Sequence, residues 1–214
     1  MIPLKKTTEP PVLSEHGEQW TREYIDAATP AMRRLKEKWR HGEIKRALAE
    51  ETGAKCAYCE GLTDDVSYPH VEHIQPKSVF PELAHVWTNL TSSCERCNIN
   101  KGDYYTPERP LLNPYTDDVA SHLRPVGAIV DWPSGNEQAE ITVRKLQLNR
   151  ADLVLARARR LEKIRDLLER WNTTTGALRQ VLEGTIRLDA AEGEFSSSVL
   201  ALLESHDFPT QGTA

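Results

Sequence analysis

The part of the sequence that decides the fold contains two cysteine pairs, Cys56-Ala57-Tyr58-Cys59 and Cys94-Glu95-Arg96-Cys97. Thiolates at this Cys-x2-Cys spacing converge on one metal ion, because a tight turn presents both sulfurs to the same point. Two such pairs supply the four sulfurs of a closed structural zinc site, which has no open position for catalysis. The long insert between the pairs, residues 60–93, must then form a substructure that brings them together.

The composition is that of an ordinary globular protein, with 214 residues of which 39% are hydrophobic and 28% are charged. The N-terminus lacks the apolar core of a secretion signal, and no run of about 18 apolar residues is present. We therefore expect a cytoplasmic protein that does not span a membrane. In that compartment paired cysteines favour metal binding over structural disulfides. The alternatives are a redox-active pair, which normally opens a helix in a thioredoxin-like setting that is absent here, and four unligated thiols.

The net charge of −5 is unfavourable for a protein that binds a polyanion, but the charge is unevenly distributed. Lysine and arginine are concentrated in residues 33–46 and 144–170, whereas the last thirty residues are acidic. Two basic helices can supply phosphate contacts despite the acidic total. Solvated helix faces with salt-bridging partners explain the same pattern equally well.

The apolar periodicity predicts helices on both sides of a short strand–loop–strand–helix unit. An extended arm is expected over residues 1–15, and a weak strand over 142–148. Strands are predicted at 71–74 and 90–93, with a short helix that begins near Cys97. The predicted helices cover residues 15–28, 30–41, 43–51, 150–171 (capped by Asn149), 177–191 and 196–205. We divide the chain into N-terminal arm and helices (1–53), a core with the structural zinc (54–110), and a wrapping segment with C-terminal helices (111–214).

Residues between the cysteine pairs have the chemistry of a hydrolytic metal site. Glu72 and His73 are adjacent, so on a strand they point to opposite sides. Asn98 follows Cys97, so the zinc fixes its backbone. Hard cations such as Mg²⁺ take oxygen ligands from carboxylate and amide groups. His73 is then the group able to take a proton from water near neutral pH, which predicts in-line phosphodiester hydrolysis.

These motifs resemble the HNH endonucleases of the ββα-metal type: Cys-x2-Cys, Glu-His-Ile-x-Pro, Asn-Leu and Cys-x2-Cys-Asn-x2-Lys-Gly-Asp. His73, Asn89 and Asn98 stand at the three positions that name the family. The resemblance implies that His73 is the general base, and that Glu72 and Asn98 bind a catalytic Mg²⁺ or Mn²⁺. Asn89 would tie the loop backbone together so that His73 is oriented. The family more often has Asp at the acidic position, so Glu72 is one methylene longer.

A narrower resemblance covers more of the chain. The phrases Cys-Ala-Tyr-Cys-Glu, His-Val-Glu-His-Ile-Gln-Pro-Lys-Ser, Trp-Thr-Asn-Leu and Leu-Gln-Leu-Asn-Arg are similar to the HNH subunit of Septu-type antiphage systems. Relatives of that subunit occur beside some retrons. The resemblance implies that the nuclease assembles with an ABC-type ATPase subunit that controls it. We accordingly expect an α+β fold in which a small zinc-clasped ββα-metal HNH core is embedded in N- and C-terminal helices.

The leading hypothesis is a metal-dependent endonuclease that cleaves DNA and has nucleic acid and an ATPase subunit as partners. His70, Lys77 and Lys101 are possible phosphate contacts, although each is equally compatible with a surface position. One alternative is a zinc-clasped module that binds nucleic acid or protein without cleavage, which would need neither His73 nor Asn89. Another alternative is a nuclease that cleaves RNA, since base and metal act on the phosphate.

Overall fold

The computed structural model describes residues 1–63 and 69–210. Over these residues the chain forms nine α-helices and two small antiparallel sheets. The helices are α1 (Pro11–Ile25), α2 (Pro30–Leu35), α3 (Gly42–Thr52), α4 (Glu95–Lys101), α5 (Val119–His122), α6 (Glu137–Lys145), α7 (Ala151–Thr173), α8 (Gly176–Glu192) and α9 (Ser196–Ser205). The strands are β1 (His70–His73), β2 (Leu90–Ser93), β3 (Arg124–Val126) and β4 (Ile129–Asp131). None of the described helices is both long and apolar enough to cross a bilayer.

The centre of the molecule is a strand–loop–strand–helix unit, which confirms the α+β prediction. β1 and β2 are antiparallel, with His70 opposite Ser93 and His73 opposite Leu90. α4 begins directly after β2, and the Cys94 sulfur accepts a hydrogen bond from the Cys97 amide at its N-terminus. The Ala57 amide donates to the Ser92 carbonyl at 2.9 Å, so the first cysteine pair is held against β2.

The N-terminal helices cover one side of this unit. Their buried apolar side chains share a core with the loop between β1 and β2, and the cluster comprises Leu13, Tyr24, Trp39, Ile44, Leu48, Ala84, Trp87 and Leu90. α3 ends at Gly53, which adopts the left-handed conformation (φ 60°) that favours glycine. The helix predicted over 30–41 is shorter than expected: α2 ends at Leu35, and a 3₁₀ turn, Lys38–Arg40, follows it.

The C-terminal helices form a second layer that is tied to the first cysteine pair. α7, α8 and α9 pack on one another through an apolar cluster that includes Leu161, Ile164, Ile186 and Val199. Lys55, next to Cys56, is buried and donates to the carbonyls of Ala191 and Gly193 and to the Ser196 hydroxyl, each at 3.1 Å. The apolar spacing over 150–171 predicts a buried stripe made of Leu153, Leu155, Leu161, Ile164, Leu167 and Leu168. Most of it is buried, but Leu155 is 51% exposed.

Three further local predictions were wrong. Helix α1 begins at Pro11, within the arm predicted over residues 1–15. Residues 142–148 are not a strand: α6, which Asn136 caps by accepting from the Ala139 amide, includes residues 142–145, and residues 146–148 follow its end. Asn149 does not cap α7, because its side chain accepts from the Val130 amide and donates to the Val130 carbonyl. The division into three parts stays a prediction.

Candidate active site

The four cysteine sulfurs form a buried cluster, in which the ligand atoms all lie within 4.8 Å of one another. The sulfurs of Cys59 and Cys94 are 3.8 Å apart. A tetrahedral zinc with Zn–S bonds of about 2.3 Å requires an S–S separation of about 3.8 Å. The donor set is therefore that of a closed tetrahedral site, as the spacing of the pairs predicted.

Arg150 accompanies the sulfur cluster, a contact that sequence reasoning did not identify. Its guanidinium lies 3.7 Å from the Cys97 sulfur and 4.0 Å from the Cys94 sulfur. Burial lowers the pKa of Arg150, but the Cys97 and Cys59 sulfurs and the Asp152 carboxylate together raise it by more, so its pKa lies above the ordinary value. A fixed positive charge at this position offsets the negative charge of a four-thiolate metal site. The Leu-Gln-Leu-Asn-Arg phrase, residues 146–150, thus ends on a residue that faces the cysteines.

His73, the last residue of β1, is buried with a defined orientation. Its Nε2 lies 3.0 Å from the Ala84 carbonyl oxygen. A carbonyl can only accept, so Nε2 carries the hydrogen and Nδ1 keeps the lone pair. The Trp39 ring stands edge-on to the imidazole, with 4.8 Å between ring centroids. Burial, followed by the nearby Lys77, lowers the pKa of His73 to about 3, which leaves the ring neutral at pH 7.

Asn89 closes the loop between β1 and β2. Its Oδ1 accepts from the Gln75 amide at 2.8 Å, and its Nδ2 donates to the carbonyls of Gln75 and Leu83 at 3.0 and 3.2 Å. Leu83 immediately precedes Ala84, whose carbonyl holds His73. The Asn89 side chain therefore bonds both ends of residues 75–83, directly before the Ala84 carbonyl that holds the imidazole.

Glu72 and Lys101 form an internal ion pair. The Glu72 Oε1 and Lys101 Nζ atoms are 2.7 Å apart, and both side chains are at most 5% exposed. Lys101 also donates to the His73 carbonyl at 2.8 Å. Burial raises the pKa of Glu72, although the ammonium of Lys101 opposes that shift. The structure thus turns Lys101 toward the core, so a phosphate contact would require it to leave this pair.

His70 and Asn98 complete the polar wall of the site. The Asn98 Nδ2 lies 3.2 Å from the His70 Nδ1, which joins the start of β1 to α4. Both residues line a cleft of about 280 Å³ together with Glu72 and His73. A carboxylate, an amide oxygen and an imidazole are a donor set that fits a divalent cation.

The cleft is also lined by residues from outside the HNH-like unit. Lys77, expected near the phosphate, lies on its rim, and its ammonium is 5.4 Å from the centre of the Trp39 ring. Trp39, Arg40 and Lys45 reach the cleft from the N-terminal segment. No motif marks these three residues in the sequence; the basic run over 33–46 was the one available signal.

Residues 56–104 match the family model described as HNH endonuclease. The chain is 30% identical over 224 residues to the Septu protein PtuB of Bacillus thuringiensis, across 97% of this chain and 83% of that protein. The chain belongs to the Septu PtuB family. A PtuB from Bacillus mycoides (strain KBAB4) is 29% identical over 155 residues, across 58% of this chain and 52% of that protein. Both sequence resemblances are thereby confirmed, and the chain is an HNH endonuclease.

Proposed function

We propose that the protein hydrolyses phosphodiester bonds of DNA, with His73 as the general base and one divalent cation, Mg²⁺ or Mn²⁺, bound by Glu72 and Asn98. The observation that carries this proposal is that these three side chains line one cleft, although they come from a strand and from a helix that follows it. His70 borders the same cleft and contacts Asn98, so it is a further candidate ligand.

The orientation of His73 supports its role as a base. Its Nε2 is occupied by the Ala84 carbonyl, so Nδ1 is the atom that accepts a proton from water. Asn89 supports this orientation because its hydrogen bonds to Gln75 and Leu83 hold the backbone next to Ala84 in place. A bound divalent cation would neutralise phosphate charge and stabilise the leaving oxygen.

We further propose that the four cysteines hold a structural zinc ion. The sulfur separation and the guanidinium of Arg150 beside the cluster support this assignment. Cys94 and Cys97 lie at the N-terminus of α4, so a zinc there would fix the helix that carries Asn98. Because all four positions are sulfur, this zinc would serve the fold and not the reaction.

Membership of the Septu PtuB family supports a role as the nuclease effector of an antiphage defence complex. The resemblance of the chain to Septu nuclease subunits supports an ABC-type ATPase as the partner that controls it. α8 offers an apolar face for a protein partner, because Leu178, Val181 and Leu188 are 52–64% exposed and share one side of the helix.

A plasmid-nicking assay tests the proposal, with the chain alone and with the ATPase subunit encoded beside it. We expect cleavage with Mg²⁺ or Mn²⁺, none with EDTA, and a loss of about 10²–10⁴-fold in His73→Ala. His16→Ala, which changes an exposed histidine of α1, is the matched control. Full nicking by His73→Ala refutes the mechanism. Binding without cleavage in every condition favours the docking module, and selective cleavage of an RNA strand favours a ribonuclease.

A further inference from the structure

The two basic stretches of the chain lie in different places relative to the catalytic cleft. Arg40 and Lys45, from the stretch over 33–46, line the cleft beside Lys77. No residue of α7 lines it. The sequence offered both stretches as possible phosphate contacts, but in the structure only the first of them reaches the cleft.

Three arginines of the second stretch are engaged in contacts within the fold, and its exposed cations on α7 (Arg159, Lys163, Arg165 and Arg170) do not line the cleft. Arg150 faces the cysteine sulfurs. Arg157 is buried and donates to the carbonyls of Ala128 and Leu148. Arg160 pairs with Asp189 and donates to the Glu194 carbonyl. Because these three guanidinium groups already bind groups within the fold, they are not available to bind phosphates.

The charges that remain in the cleft are mainly positive. Glu72 and Lys101 cancel one another in their buried pair. Three cations, Arg40, Lys45 and Lys77, then face one carboxylate, that of Asp103. The exposed Arg40 also pairs with Glu37, but an ion pair in solvent is weak and yields readily to a phosphate. Within a chain of net charge −5, this cleft is a local positive region that attracts a polyanion.

Buried neighbours anchor the backbone that carries Arg40 and Lys45. The 3₁₀ turn that carries Arg40 is anchored by Trp39, which is 2% exposed and contacts the His73 ring. Lys45 is in the first turn of α3, next to the fully buried Ile44. Since Trp39 is the one Phe, Tyr or Trp among the described residues that line the cleft, no exposed ring is available there for stacking on unpaired bases. The chemistry suits a duplex backbone better than a single strand.

We propose that Arg40 and Lys45, together with Lys77, form the site that binds the DNA backbone, and that they hold phosphates on a duplex that crosses the cleft past His73. Residues 56–104 hold seven Asp or Glu against three Lys or Arg, so the N-terminal segment supplies the cations that this unit lacks. This inference rests on the proposed nuclease function, because it places the bound phosphates beside that catalytic centre.

Fluorescence anisotropy with a labelled DNA duplex tests the proposal, in a His73→Ala background without added Mg²⁺ or Mn²⁺, so that nothing is cleaved and no chelator removes the structural zinc. Each phosphate contact contributes a slope of about −0.9 to log Kobs against log salt. Arg40→Ala and Lys45→Ala should each reduce the slope by about 0.9 and weaken binding at 0.1 M salt by about 5–10-fold. Arg46→Ala and Lys38→Ala remove the same charge from exposed neighbours that do not line the cleft, and should leave the slope unchanged. Lys45→Arg should retain the affinity.

Equal losses in the variants and in their neighbouring controls would mean that diffuse charge alone drives binding, and would overturn the proposal. An unchanged slope in Arg40→Ala and Lys45→Ala would do the same, as would tighter binding of single-stranded DNA or RNA than of the duplex. Nicking assays keep the two proposals apart. A chain that binds through these residues but never cuts refutes the nuclease mechanism alone, whereas cleavage with unchanged KM in both variants refutes the binding site alone.

Discussion

Replacing Lys101 with methionine removes the cation from the buried pair at the centre of the site while nearly preserving its volume. Glu72 would keep its carboxylate in a position that is 5% exposed, and the His73 carbonyl would lose a donor at 2.8 Å. Leaving one partner of a buried ion pair uncompensated costs about 3–5 kcal/mol. For a protein of this length, 1 kcal/mol corresponds to about 2–4 °C in Tm, so we expect Tm to fall by about 6–20 °C.

Thermal and urea unfolding of four proteins measure this effect: wild type, Lys101→Met, Glu72→Gln and the double variant. The double variant should recover a large part of the loss, because it leaves no uncompensated charge. Lys163→Met, which changes an exposed lysine of α7, controls for the substitution itself. A loss below about 1 kcal/mol in Lys101→Met, or strictly additive losses in the double variant, would refute the reasoning, since both outcomes mean that the pair carries no coupling.

The same variants examine whether Glu72 binds a cation. In Lys101→Met the carboxylate has no competing ammonium, so Mn²⁺ should raise the Tm of this variant more than that of the wild type. The double variant lacks the carboxylate and should show no such gain. An equal Mn²⁺ response in all four proteins would exclude Glu72 as a metal ligand and would leave Asn98 and His70 as the candidates.

Three further predictions concern the zinc site, the indole beside the base and the pH dependence of stability. Cys59→Ser should release about one zinc per chain, measured by metal analysis, and undo the cooperative unfolding transition; retained zinc would contradict the four-sulfur site. Trp39→Ala should cost about 3–5 kcal/mol of stability and reduce kcat, whereas Trp39→Phe should restore most of both; no recovery with Phe would argue against a positioning role for the ring beside His73. Burial lowers the pKa of His85 to about 4, below its unfolded value near 6.5, so the unfolded state takes up the proton first and stability falls as the pH drops through 6.5 toward 4. Between pH 8 and 5.5 this amounts to about 1 kcal/mol after solvent screening, and urea titrations of His85→Phe should lack that component; an identical pH profile would refute the assignment.

Features that depend on near neighbours in the chain were predictable. The cysteine pairs converge as their spacing requires, and strands and helices near residues 70–101 follow from short apolar runs and a cysteine-capped helix. Local signals failed where a distant partner competed for the same group. Asn149 has the side chain of a helix cap, but its amide is used by the Val130 backbone, nineteen residues away. Residues 142–148 alternate too briefly to distinguish a strand from the end of α6.

The sequence by itself indicated which functional groups this protein uses. The cysteine pairs and the Glu-His and Asn motifs are short, so their spacing in the chain already predicts which side chains lie close together. Only the tertiary structure decided which partner each of the charged groups contacts. It paired Glu72 with Lys101 and placed Arg150 against the sulfurs. It also brought Arg40 and Lys45 to the cleft, whereas Arg157 of α7 donates to backbone carbonyls. Such pairings join residues far apart in the chain and depend on which charges are desolvated together, and no local pattern encodes that outcome.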